Sequence, residues 1–202
     1  GGTCGAFSSL SDIVDPDTPY TDTSLATGFC YKFQYRVVDL LGNVSTYSST
    51  NVVKVDNTAP SGGSITYPNA VVTTNSVPVT MTQGTDPEGL NVPLNRLERR
   101  SAPLSGGVCS ASYGSWSTIA TAMSLSFNDT TVTTDICYQW RFVVTDLGCN
   151  STTYTSTNVT KLDSASPSGG SITYAAQSYS TTLGQTASIS FTPGTDPGSG
   201  VI

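Results

Sequence analysis

The chain has few of the residues on which most protein chemistry depends. Its 202 residues include no histidine, and only 11% of them are charged. Without imidazole, no side chain has an ordinary pKa between pH 5 and 8. The 8 Lys and Arg residues are outnumbered by 14 Asp and Glu residues and cannot neutralise a phosphate backbone. We therefore expect neither an enzyme nor a nucleic-acid-binding protein.

Long apolar runs are also absent. A membrane-spanning helix needs about 20 consecutive apolar residues, and no segment approaches that length. The sequence therefore predicts no membrane insertion. Hydroxyl groups are abundant instead, with 32 Thr and 29 Ser residues. Threonine has a high propensity for β-strands, and its hydroxyl allows an exposed strand face to be hydrated without adding charge.

An internal repeat organises the chain. Segment 30–67 aligns without a gap with segment 137–174, at an offset of 107 residues. Weaker matches on both sides give a tandem unit of about 105 residues. Each copy contains a short Asp- and Pro-containing stretch typical of a linker. We therefore predict three parts: residues 1–57, the C-terminal part of one domain; residues 58–164, a complete domain; and residues 165–202, the N-terminal strands of a third.

Apolar and polar residues alternate with a period of two. Tyr138, Trp140 and Phe142 fall on one face of a predicted strand, as Tyr31 and Phe33 do in the first copy. Shorter runs rich in β-branched residues are bounded by Gly, Pro, Asn and Asp, and no segment has a helical pattern. These runs are 64–67, 77–82, 97–102, 115–120, 123–127 and 154–162. Six to seven short strands in each unit predict an all-β fold of tandem immunoglobulin-like β-sandwiches.

Specific residues resemble a known family. Segment 25–31, LATGFCY, resembles the corner that precedes strand F in fibronectin type III domains, with Thr27 in place of the usual proline. The second copy matches this motif less closely, because Asp135 replaces the glycine. The VDNTAP linker and the D-x-x-G-N loop also resemble tandem Ig-like repeats of large secreted bacterial proteins. The resemblance implies a tyrosine corner, in which the Tyr31 and Tyr138 hydroxyls bond the backbone just upstream. The alternative is that both are simply core aromatics.

Four of the five cysteines are related by the repeat. Cys4 corresponds to Cys109, and Cys30 corresponds to Cys137. In an antiparallel sandwich the end of strand C lies beside the start of strand F, so we predict the disulfides Cys4–Cys30 and Cys109–Cys137. Such bonds indicate an oxidising compartment, and hence an extracellular or cell-surface protein. The lack of histidine and of C-x-x-C spacing argues against zinc.

Cys149 has no counterpart, because the first copy has Gly42 at that position. We expect it at an exposed loop tip, either as an intermolecular disulfide or as a free thiol.

Three aspartates are candidates for a metal site. In the predicted topology the preceding linker, the B–C loop and the F–G loop lie at one pole, which brings Asp56, Asp86 and Asp146 near one another. Three carboxylates with backbone carbonyls suit Ca²⁺. Alternatively, Asp86 only forms a turn and Asp146 only ends a strand. No other cofactor is expected.

Other polar residues suggest modification or solvation. Four asparagines begin N-x-S/T triplets and are possible glycosylation sites: Asn43, Asn128, Asn150 and Asn158. The only basic cluster, Arg96, Arg99 and Arg100, is expected to be solvated edge charge.

These features predict a structural or adhesive repeat of an extracellular filament, stalk or cell-surface polymer. Its partners would be neighbouring copies of itself and a cell-surface or glycan target. The two end units are expected either to be completed head to tail by strand addition between subunits or to belong to a longer tandem array. The alternative is a spacer or carbohydrate-binding accessory module of a secreted enzyme or receptor. That role would require an exposed aromatic platform, for which Trp116 beside Tyr113 is the candidate.

Overall fold

The structure is a computed structural model that describes residues 2–8, 11–14, 18–121, 124–174 and 188–201. Within these ranges the regular structure is almost entirely β-strand, and the sole helical element is a 3-10 turn at Val92–Leu94. The all-β class predicted from the sequence is therefore confirmed.

Segment 1–57 contributes two small antiparallel sheets. Strand β1 (Phe29–Tyr31) pairs with β4 (Val53–Val55), and β2 (Gln34–Val38) pairs with β3 (Val44–Ser48). All residues of β2 and β3 are exposed. Alternation on β2 therefore produces one apolar face that the described residues leave uncovered.

Segment 58–164 contributes ten described strands in two sheets. They are β5 (Ser64–Thr66), β6 (Val71–Val72), β7 (Val77–Thr82), β8 (Arg96–Ser105), β9 (Val108–Cys109), β10 (Ser117–Thr121), β11 (Ser126–Asp129), β12 (Ile136–Thr145), β13 (Ser151–Thr155) and β14 (Thr160–Leu162). One sheet has the order β10-β8-β12-β14-β6, with β9 paired to β8 and β13 paired to β12, and the other has the order β11-β7-β5. All pairings are antiparallel except β14 with β6.

The two sheets share one apolar core. Alternate residues of a strand point to opposite faces, so β12 presents Tyr138, Trp140 and Phe142 to the inside, where all three are buried. The facing sheet supplies Val79 and Met81 from β7. This shared cluster makes segment 58–164 a two-layered β-structure.

Two tyrosines are tied to the backbone just upstream. The Tyr31 hydroxyl accepts a hydrogen bond from the Ala26 N–H at 2.8 Å, and the Tyr138 hydroxyl accepts one from the Thr133 N–H at 3.0 Å. Both contacts are of the kind that the resemblance implied. They anchor the start of equivalent strands in the two copies.

Two disulfides join the cysteine pairs that the repeat predicts. Cys4 is bonded to Cys30, and Cys109 is bonded to Cys137, with Cα–Cα distances of 5.8 Å in both. Cys137 is fully buried beside Ala102, so this bond is part of the smaller apolar cluster at one end of the sandwich.

The last described strands form a separate antiparallel pair. Strand β15 (Ser171–Tyr174) pairs with β16 (Ile189–Thr192), and every residue of both is exposed. The register places Ile172 opposite Phe191. One face of this pair is therefore apolar, and the other carries hydroxyl side chains.

The expectation that the basic cluster is edge charge was wrong for all three arginines, and Arg99 is not a solvated charge either. Strand β8 is not an edge strand, because it lies between β10 and β12. Arg99 points to the inner side and pairs with the buried Asp129 at 2.8 Å, and its guanidinium lies 4.9 Å from the Tyr138 ring centroid. It is part of the interior of the unit.

Candidate functional site

Three loop carboxylates meet where segment 1–57 joins segment 58–164. Asp56 directly follows β4, Asp86 lies in the loop between β7 and β8, and Asp146 directly follows β12. One carboxylate oxygen of each lies within 4.8 Å of the others. These are the three residues for which the sequence suggested convergence.

Local turns hold one oxygen of two of these carboxylates. Asp86 Oδ1 accepts hydrogen bonds from the Glu88 N–H at 2.9 Å and from the Gly89 N–H at 3.2 Å. Asp56 Oδ1 accepts from the Thr58 N–H at 3.1 Å and from its hydroxyl at 2.9 Å. Aspartate favours such turns because its short side chain reaches the backbone two residues on. In both residues Oδ2 remains for another contact.

The third carboxylate is held by an asparagine that also contacts the linker. Asp146 Oδ1 accepts from the Asn150 N–H at 2.8 Å, and Asp146 Oδ2 accepts from Asn150 Nδ2 at 2.9 Å. The same Nδ2 donates to the Asp56 carbonyl at 3.2 Å. A backbone bond from the Leu147 N–H to the Gly89 carbonyl at 3.0 Å connects the two loops. The cluster therefore joins three separate segments.

The cluster has no counter-charge from the described residues. The ion pairs among them are Arg96–Glu98, Arg99–Asp129 and Arg141–Glu98, and none includes a residue of this cluster. Two unit charges 4.8 Å apart repel by about 3 to 4 kcal/mol at an effective dielectric constant of about 20. Asp146 is 0% exposed, so solvent cannot screen it well. No Lys or Arg side chain among the described residues forms an ion pair with any of the three carboxylates.

Glycine at position 148 leaves room beside this cluster. A β-carbon on Gly148 would lie 2.9 Å from Asp56 Oδ2 and 3.1 Å from Asn150 Nδ2. The first copy has Leu41 at the equivalent position. Sequence reasoning missed this residue, although the difference between the copies, Leu41-Gly42 against Gly148-Cys149, was visible.

The same loop geometry recurs in the first copy. Asp39, which corresponds to Asp146, accepts from the Asn43 N–H at 2.8 Å and from Asn43 Nδ2 at 2.7 Å. The hydrogen bonds from Asn43 hold the pKa of Asp39 below its usual value. An aspartate followed four residues later by an asparagine therefore encodes, in both copies, a carboxylate fixed by its own loop.

A second junction brings together equivalents of two cluster residues. Asp163 corresponds to Asp56, and Asp196 lies in the repeated GTDP motif as Asp86 does. The Ser199 N–H donates to Asp163 Oδ2 and to Asp196 Oδ1, each at 2.9 Å. The Ser199 hydrogen bond is the main cause of a lowered Asp163 pKa. Linker and B–C loop thus approach each other at both junctions.

Cys149 lies beside the acidic cluster on the F–G loop. It is exposed and makes no disulfide with another described residue. Its φ of 70° is close to the 86° of Gly42 in the first copy. The two loops therefore keep one conformation although the residue differs.

The four sequon asparagines lie in different environments. Asn43 and Asn128 are exposed, whereas Asn150 and Asn158 are half-buried. The Asn158 amide donates to the Tyr67 carbonyl at 2.7 Å. Glycosylation stays a prediction for all four.

A second surface feature is a groove of about 530 Å³ on the outer face of the larger sheet. It is lined by Arg100, Trp116, Gln139, Arg141, Thr155, Ser156 and Thr157. Trp116 is half-buried, and the Arg100 and Arg141 guanidinium groups lie 4.7 Å and 4.6 Å from its ring centroid. Because these cations already stack on the indole, Trp116 does not offer a bare aromatic platform to a sugar.

Comparison of the chain with protein-family models, with curated proteins and with solved structures found no match in any of the three. Among the described residues no helix has the length and apolar character needed to cross a membrane.

Proposed function

We propose that the chain is a structural repeat segment of an extracellular filament, stalk or cell-surface polymer. Its units are Ig-like β-sandwiches of the fibronectin type III kind, arranged in series. Segments 1–57 and 165–202 are completed by strand addition from neighbouring copies. The observation that carries this proposal is a pair of exposed apolar faces whose counterparts pack against each other in segment 58–164.

The first of these faces is on β2. Tyr35 is 62% exposed, whereas Phe142, its counterpart in the repeat, is 1% exposed. Val37 is likewise exposed, and its counterpart Val144 is fully buried. Burying such side chains contributes roughly 1.5–3 kcal/mol each. The face on β2 therefore has the composition of a core surface.

The second face is on β15 and β16. Phe191 is 71% exposed, whereas its counterpart Met81 is 3% exposed. Ile172 is exposed, and its counterpart Ile65 is buried. In segment 58–164 the strands that contain Ile65 and Met81 belong to the sheet that covers β12. The β15–β16 pair of one copy thus has the residues needed to cover the β2 face of the next.

This arrangement is heterologous, because one face binds a different face on the neighbour. Contacts of this kind extend into fibres when they do not close into a ring. The disulfides in the two copies support an oxidising, extracellular-type environment. They also stabilise units whose composition is rich in hydroxyl groups.

Light scattering after size exclusion, followed by electron microscopy, tests the proposal. We expect the average mass to rise with concentration above 21.0 kDa, and rods with a regular axial repeat to appear. Phe191→Lys should reduce assembly strongly, because it places a charge in the buried face. Thr192→Lys is the matched control, since Thr192 points to the opposite, hydroxyl-bearing face.

Two results would contradict assembly through this face and favour an isolated spacer module. One is a mass that stays at the single-chain value at all concentrations, and the other is an equal effect of the two variants on assembly. The mass of the native material then tells whether the neighbours are separate subunits or successive units of one polypeptide.

A further inference from the structure

We propose that Asp56, Asp86 and Asp146 bind one Ca²⁺ ion, which ties the segment after β4 to two loops of the following unit. The proposal does not depend on assembly between copies, because all three residues belong to one chain.

Two carboxylate oxygens of the cluster lack a hydrogen-bond partner. Asp56 Oδ2 and Asp86 Oδ2 are buried, and neither has a hydrogen-bond partner among the described residues. A buried acceptor without a partner is unfavourable, and more so when it is charged. Both residues have their other oxygen held by a turn. Oδ2 of each residue therefore has no hydrogen bond and is available to bind a cation.

The candidate ligands are spaced as the ligands of one ion would be. The three oxygen atoms lie within 4.8 Å of one another. Ca²⁺ binds oxygen at about 2.3–2.6 Å, so two ligands of one ion are separated by at most about 5 Å. The oxygen positions are therefore already close enough to surround a single ion.

The donor atoms of the cluster are all oxygens. Three carboxylates and the neighbouring carbonyls form an all-oxygen set, which suits a hard cation. The chain has no histidine, which removes one of the ligands that zinc prefers. Ca²⁺ accepts irregular geometry, whereas Mg²⁺ requires a near-ideal octahedron. A cluster assembled from three unrelated loops favours the more tolerant ion.

The second junction repeats the approach of two of these positions. Asp163 and Asp196 occupy the positions equivalent to Asp56 and Asp86, and a single N–H bridges them. A linker carboxylate and a B–C loop carboxylate thus meet again one repeat later.

Isothermal titration calorimetry after dialysis against EDTA tests the site directly. We expect one Ca²⁺ to bind the wild-type chain, with an affinity in the range of about 10⁻⁴–10⁻³ M found for extracellular modules. The melting temperature should rise in about 5 mM Ca²⁺ and rise less with Mg²⁺ at that concentration. Neither heat nor a change in melting temperature with Ca²⁺ would overturn the proposal, as would equal or tighter binding of Mg²⁺.

Variants locate the ion. Asp56→Asn and Asp86→Asn should each weaken Ca²⁺ binding by about 10-fold or more, since each removes a charged ligand. Asp39→Asn is the matched control, because Asp39 occupies the same loop position as Asp146 but lies in the first copy. Circular dichroism without Ca²⁺ shows whether the variants are folded. Folded variants that bind like wild type, or an equal loss in Asp39→Asn, would show that the ion binds elsewhere and overturn the assignment.

Discussion

The strongest prediction for stability concerns Asp129, at the end of β11. Its side chain is 1% exposed and accepts hydrogen bonds from Arg99 Nη1 at 2.8 Å and from Trp140 Nε1 at 3.0 Å. It also accepts from the Thr131 N–H and hydroxyl at 3.0 Å and 2.7 Å. One carboxylate therefore satisfies a cation and a core indole at once. We predict that Asp129→Ala severely destabilises segment 58–164.

The magnitude follows from what the substitution leaves behind. Removing one partner of a buried ion pair typically costs about 3–5 kcal/mol, because the other charge stays buried without compensation. Here the Trp140 N–H also loses its acceptor. A buried donor without a partner costs about 1–3 kcal/mol, but the two penalties overlap and are not additive. We therefore expect Asp129→Ala to lower the free energy of unfolding by about 3–5 kcal/mol.

Urea unfolding followed by tryptophan fluorescence measures this effect, because Trp140 is fully buried. Asp135→Asn is the matched control in the same unit. It also removes one negative charge, but Asn tolerates the left-handed φ of 62° at that position. We expect the control to change stability by no more than about 0.5 kcal/mol. A loss below about 1 kcal/mol for Asp129→Ala would refute the reasoning, because the carboxylate would then not compensate the half-buried Arg99.

The pH dependence gives an independent check on the same residue. Burial alone would raise the pKa of Asp129, but hydrogen bonds from Thr131 and Trp140 and the charge of Arg99 outweigh it and lower the pKa. A carboxylate with a lowered folded pKa adds stability above its unfolded pKa of about 3.9, and this stability is lost as pH falls through the folded value. The stability difference between wild type and Asp129→Asn should therefore be constant near neutrality and shrink below about pH 4. A difference that stays constant down to about pH 2 would contradict the assigned ion pair.

Two further substitutions test other features of the fold by denaturant unfolding. Replacing both Cys109 and Cys137 by Ala should cost about 3–4 kcal/mol, since the bond closes a loop with a sequence separation of 28 residues; an unchanged midpoint would show that the bond does not constrain the unfolded chain. Cys149→Gly should stabilise by about 0.5–1 kcal/mol, because it relieves a left-handed φ at the position of Gly42, and a destabilised variant would mean that the thiol makes a contact of its own.

Hydrophobic alternation predicted most strands of segment 58–164. The run 77–82 matches β7 residue for residue, and 97–102 lies inside the longer β8. The run 154–162 was wrong as one strand, because it divides into β13 and β14. Between them the Asn158 N–H donates to the Ser156 hydroxyl at 3.1 Å. Such local bonds compete with strand pairing, and composition alone does not show where they will prevail.

The acidic cluster was predictable because the sequence and a common topology placed its three loops at one pole. The Arg99–Asp129 pair was not, although alternation does separate Arg99 from Arg96 and Arg100. Its partner lies 30 residues away on the facing sheet. Contacts across two layers depend on how the sheets pack. The alternation of residues along a strand shows only on which side of that strand each residue lies.

Several residues that are identical in the two copies lie along one strand or directly after it, and their contacts explain why they recur. In segment 58–164, β12 begins with the disulfide at Cys137 and the anchored hydroxyl of Tyr138, continues through Trp140 with its bond to Asp129, and ends directly before Asp146. Each of these ties joins β12 to a different segment. A thin, hydroxyl-rich unit buries little apolar surface. Its cooperative folding therefore depends on specific contacts such as these. The first copy keeps the same order with Cys30, Tyr31 and Asp39, at positions where substitutions would loosen several segments together.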